Sequence, residues 1–92
     1  MLGVSELYPN PITGSVREVK FNLLSSCPTS VSWKVYTVDY KRVYEDTVEV
    51  VGLKTLAWRL TDSSGRRVAA GVYYLQFNSG TNTVIRKLLV LN

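Results

Sequence analysis

The chain has 92 residues, 46% hydrophobic and 20% charged, a balance that excludes disorder and a coiled coil and suits one modest core. Its net charge of +4 is dispersed, with adjacent basic pairs at Lys41-Arg42, Arg66-Arg67 and Arg86-Lys87. No zinc spacing, helix-turn-helix pattern or RNA-reading aromatic motif accompanies them, so nucleic acid is not an expected partner.

Met1-Leu2-Gly3-Val4 lacks the basic start and the apolar core of about 7 to 15 residues that mark a signal peptide, and no segment is apolar for long enough to cross a membrane as a helix. The first distinctive feature is Tyr8-Pro9-Asn10-Pro11. Each proline fixes its own φ and drives the residue before it, Tyr8 or Asn10, out of the helical region. Asn10 is a natural turn residue, so the motif predicts a stiff entrance to whatever follows.

Beyond it, apolar residues recur at every second position, the period of a half-buried strand. Val19, Phe21 and Leu23 form one such run, followed by Val31, Trp33 and Val35, then Leu56, Trp58 and Leu60, then Tyr73, Leu75 and Phe77. Turn signals separate them: Ser25-Ser26-Cys27-Pro28, Val38-Asp39-Tyr40-Lys41, Gly52, Asp62-Ser63-Ser64-Gly65 and Asn78-Ser79-Gly80-Thr81-Asn82. The rhythm predicts an all-β sandwich with strands at about 3–8, 16–24, 30–38, 42–50, 53–60, 71–78 and 83–91. Trp33, Trp58, Tyr73 and Phe77 are expected between the two sheets. Tyr36, Tyr40, Tyr44 and Tyr74 are left open; Tyr36 and Tyr74 have the opposite parity from their strands' core residues, which allows an exposed aromatic patch or a plain covering of the sheet face. Glu45, Asp46 and Glu49 interrupt the run from Val43 to Val51 as charges do on an edge strand.

The residues of chemistry are sparse. There is no histidine to serve as base or metal ligand, and Cys27, alone beside Pro28, has neither a disulfide partner nor an activating base. Glu45 and Asp46 are adjacent but point to opposite faces of a strand. No serine lies in a Gly-x-Ser-x-Gly elbow, and no glycine-rich phosphate loop or calcium loop is present. Asp62 is one carboxylate, too few for a calcium site, and Asp62-Ser63-Ser64-Gly65 reads as a type I turn. No catalytic, cofactor or metal site is expected, and the chain is not expected to be an enzyme.

Taken in order, several landmarks resemble those of the C-terminal sorting domains of the type IX secretion system. They are Pro9-Asn10-Pro11, the run from Val35 to Val43, Trp58, Asp62, Gly65, Gly71-Val72-Tyr73, and the terminal Arg86-Lys87-Leu88-Leu89-Val90-Leu91-Asn92. That family is similar in turn to the Ig-like domain of the flagellar hook-capping protein. Thr37 stands where the family commonly has aspartate and Tyr40 where it has glycine, so a locally different hairpin is expected.

The resemblance implies an Ig-like antiparallel β-sandwich of about seven strands. It implies one sorting and attachment domain over residues 1–92, belonging to a larger secreted protein of a Gram-negative bacterium. Such a module directs its upstream cargo, after passage through the periplasm, to the cell surface through recognition by secretion-apparatus proteins at the outer membrane. By the same resemblance Arg86, Lys87, Leu88 and Val90 carry recognition, while Pro9, Asn10, Pro11, Trp58, Asp62, Gly65, Gly71 and Tyr73 are structural.

A basic last strand presents charge to an acidic partner or anionic lipopolysaccharide, and an unpaired edge accepts another strand. The plainer reading is that Arg86 and Lys87 solubilise an edge. An Ig-like assembly or spacer module uses the same core, and a carbohydrate-binding module uses Tyr36, Tyr40 and Tyr74.

Overall fold

The computed structural model describes residues 2–80 and 82–91. Thr81 of the expected turn and Asn92 of the expected terminal motif, like Met1, lie outside the described residues. Among the described residues five antiparallel strands form: β1 (Leu2–Val4), β2 (Val19–Thr37), β3 (Arg42–Trp58), β4 (Gly71–Ser79) and β5 (Asn82–Val90). The count is five rather than seven because two pairs of expected strands are continuous. The runs at about 16–24 and 30–38 are both β2, and those at about 42–50 and 53–60 are both β3.

A straight strand of 19 residues extends about 63 Å, yet the longest dimension of the molecule is 38 Å, so β2 has to bend. It bends where its register with β3 slips: Ser25 pairs with Gly52 and Thr29 with Val50, which leaves Ser26, Cys27 and Pro28 opposite Val51. The Ser25 and Thr29 hydroxyls lie 2.7 Å apart and each reaches the Cys27 carbonyl oxygen at 2.8 Å. With one proton on each hydroxyl, two of these three contacts are made as full hydrogen bonds at a time. Pro28 sits in the bulged stretch, where a missing amide breaks no ladder bond. Beside Val51, at the partner position of Ser25, Gly52 has φ 69°, a conformation that side chains disfavour.

The bend folds the β2–β3 pair into two layers. One holds β1, the first half of β2 and the second half of β3; the other holds the first half of β3, the second half of β2, then β4 and β5. These segments make an Ig-like antiparallel β-sandwich. Val19, Phe21 and Leu23 face inward from the first layer, and Val31, Trp33, Val35, Tyr73, Leu75, Phe77, Leu88 and Val90 from the second, all buried. Phe21 lies 5.3 Å from Trp33 of the same strand and 5.1 Å from Phe77 of β4, ring centre to ring centre. The aromatic series continues from Trp33 to Tyr44 (5.3 Å), to Trp58 (6.5 Å) and to Tyr73 (6.0 Å). Tyr44 therefore belongs with the core aromatics.

The hairpin joining β2 to β3 turns on Thr37–Tyr40, with the Tyr40 amide donating to the Thr37 carbonyl at 2.9 Å. Tyr40 has φ 63°, the left-handed state that glycine ordinarily supplies after such a turn. The Thr37 hydroxyl accepts from the Lys41 amide at 3.1 Å. The hairpin thus uses a glycine-type backbone while carrying a tyrosine.

Candidate recognition surface at the terminal strand

Alternation along β5 sends Arg86, Leu88 and Val90 inward and Ile85, Lys87 and Leu89 outward. The four candidate recognition residues therefore do not share a surface. Leu88 and Val90 are core, at 0% and 2% exposure. Arg86 is half-buried; its Nη2 donates to the Val4 carbonyl at 2.8 Å and its Nε to the Ser5 carbonyl at 3.3 Å. It ties β5 in the second layer to the end of β1 in the first. Lys87 is the exposed member of the four.

The Pro9-Asn10-Pro11 segment lies against this same strand. Tyr8 exchanges backbone bonds with Lys20 of the first layer, at 3.0 and 2.8 Å. Ile12 already pairs with β5 of the second, its amide donating to Leu89 O at 2.8 Å and its carbonyl accepting from the Leu91 amide at 2.6 Å. Between them Asn10 acts as a short surrogate strand: Nδ2 donates to Lys87 O at 2.9 Å and Oδ1 accepts from the Leu89 amide at 3.2 Å. Both prolines follow cis peptide bonds.

The motif is therefore a crossing between layers inside the sandwich rather than its entrance, since Leu2 and Leu7 upstream are buried in the core. It also covers the β5 edge from Lys87 to Leu91, leaving 82–86 as the stretch without a neighbour on that side among the described residues.

The other landmarks brace the connection between β3 and β4. Trp58 Nε1 donates to Thr61 O at 3.0 Å. Asp62 and Gly65 close the expected turn through Gly65 N to Asp62 O at 3.0 Å, with φ 88° at Gly65. Asp62 Oδ1 also accepts from the Ser64 hydroxyl at 2.7 Å and from the Ser64 and Arg66 amides at 3.0 Å each. The Ser64 hydroxyl bond, then the Arg66 amide, hold its carboxyl below the usual value. Tyr73, near the start of β4, reaches back with its hydroxyl to Ala69 O at 2.5 Å, the arrangement of a tyrosine corner. Burial pushes its phenol up.

Two surface clusters were not assembled by sequence order. Arg17, Arg59 and Arg67, dispersed along the chain, line one cleft of about 690 Å³ together with Glu18. Tyr36, Tyr40 and Tyr74 line another with Gln76 and Ile85. Strand parity pointed to Tyr36 and Tyr74 of the second, whereas nothing local in the sequence marked the first.

A bent two-layer sheet with a tyrosine corner, stitched at one edge by a Pro-Asn-Pro crossing, defines the class as an Ig-like β-sandwich module. Residues 6–91 match the family model for the secretion system C-terminal sorting domain, and the chain belongs to that family, the sorting domains of type IX secretion. It is thereby a secretion signal of proteins secreted or displayed at the surface of Gram-negative bacteria.

Two solved structures from Porphyromonas gingivalis share the fold. Dimeric latent PorU is 20% identical with TM-score 0.74, covering 98% of this chain and 9% of that one. PorZ, described as an essential bacterial surface component of the type-IX secretion system, is 21% identical with TM-score 0.70, covering 98% and 12%. The chain thus spans about a tenth of the length of either. No curated protein matches it.

Proposed function

We propose that the chain carries a cargo, located upstream in the same polypeptide, from the periplasm to the cell surface by presenting strand β5 to the outer-membrane secretion apparatus. The family match over residues 6–91 supports this reading. Lys87 is the contact, because its side chain alone among the four candidates stands in solvent. Arg86, Leu88 and Val90 act by holding β5 in place, through the Val4 and Ser5 carbonyls and through the core.

The test is a passenger fused upstream of residues 1–92 in a type IX-competent bacterium. Deleting Arg86 to Asn92 should trap the passenger in the periplasm, and export of that deletion refutes the sorting role. Because the deletion also strips Leu88 and Val90 from the core, Lys87→Glu is the cleaner variant. It should lower surface display with an unchanged melting midpoint; normal display would remove Lys87 from recognition while leaving the deletion result standing.

A further inference from the structure

Tyr36 of β2 and Tyr74 of β4 are cross-strand partners on the outer face of the four-stranded layer, and Lys87 of β5 continues the row. Lys34, Gln76 and Ile85 form the adjacent row. Tyr40 reaches in from the hairpin, its ring 6.5 Å from that of Tyr74 and 14° from parallel. Tyr36, Tyr40, Tyr74, Gln76 and Ile85 line a cleft of about 450 Å³, within the size range of small-ligand sites.

Tyr40 is the informative member. A left-handed backbone costs any residue with a Cβ, and glycine fills this turn position without that cost. Burial does not repay the tyrosine, whose surface is 79% exposed. A bulky aromatic held in a disfavoured conformation and in solvent points to a use for the ring itself.

From this geometry we propose that the cleft binds an acidic oligosaccharide. Backbone groups beneath it are committed to the β2–β4 and β4–β5 ladders, so a peptide has no edge there to extend. What the cleft presents is two near-parallel π faces for the C–H face of a sugar ring, with phenol hydroxyls and the Gln76 amide to meet its hydroxyl groups. Lys34 and Lys87 stand on the same outer face and complement a carboxylate. Glu45, the β3 partner of Lys34, is itself paired with Arg42 at 3.3 Å.

The experiment applies the 92-residue chain to an array of uronate-bearing and neutral oligosaccharides with a panel of proline-rich peptides, followed by NMR titration of the best binder. Uronate-bearing glycans should bind, shifting the amides around Tyr36, Tyr40, Tyr74 and Gln76. Tyr40→Gly, which suits the backbone better than tyrosine and so keeps the fold, should weaken binding by about tenfold or more. Lys34→Gln should weaken acidic glycans selectively. Absence of glycan binding, preference for neutral glycans or peptides, or binding indifferent to Tyr40→Gly overturns the proposal.

Discussion

Trp33 and Trp58 are equally enclosed, at 3% and 1% exposure, but differently held. Trp58 donates to Thr61 O, whereas Trp33 Nε1 is buried without a partner among the described residues. Replacing each by phenylalanine removes a hydrogen bond only at Trp58, so W58F should cost about 1 kcal/mol more than W33F in urea unfolding. Tyr73→Phe should likewise cost about 1 kcal/mol, since it leaves Ala69 O without its donor.

The raised phenol of Tyr73 carries a sign: the unfolded chain ionises first, so its contribution is intact below the ordinary value of 10.0 and fades as pH rises beyond it. Asp62 runs the other way. Its contribution is present above the ordinary 3.8 and lost as pH falls through the lowered folded value, and an NMR titration of its carboxyl should find the midpoint below 3.8. The sequence made the Asp62–Gly65 turn legible because aspartate and glycine have local roles in it. It could not show which tryptophan finds an acceptor, because Thr61 O is positioned by the left-handed, fully buried Leu60 at φ 61°.

At the scale of elements, side-chain parity was legible and strand continuity was not. The inward set Val19, Phe21, Leu23, Val31, Trp33 and Val35 follows from period two alone. Ser25-Ser26-Cys27-Pro28 and Gly52 read as turns, yet they form a bulge and the Ser25–Gly52 pair that flanks it within continuous strands, because three-for-one pairing and the Ser25–Cys27–Thr29 contacts exist only once β2 and β3 are in register. The edge on β3 was legible for a simpler reason: Glu45, Asp46 and Glu49 remain exposed on it.

The edge on β5 was not, since its cover comes from Asn10, far away in sequence. Asn10→Ala removes both side-chain bonds to Lys87 and Leu89. Water can replace them at this exposed edge, so the loss should be about 1 kcal/mol, with faster hydrogen exchange at the Leu89 amide. Unchanged Leu89 exchange would show that the crossing does not protect the strand.

For the molecule as a whole, the decisive residues precede the Pro9-Asn10-Pro11 motif. A chain starting at Tyr8 keeps Pro9-Asn10-Pro11 but loses β1, the buried Leu2 and Leu7, and the Val4 and Ser5 carbonyls that receive Arg86. Full burial of two leucines is worth about 3 to 6 kcal/mol as an upper bound, against about 5 to 14 kcal/mol for a domain of this length. The shortened chain should therefore lose much of its stability, with a clearly lower urea midpoint, and Arg86 should exchange its fixed carbonyl partners for water. As a fusion it should export poorly even though β5 is intact. Restoring residues 1–7 should rescue both folding and export, whereas Leu2→Ala with Leu7→Ala should reproduce the stability loss with the β1 backbone still present. A Tyr8 start that melts like the full chain would mean that the first layer closes without β1, and that Arg86 braces nothing the fold requires.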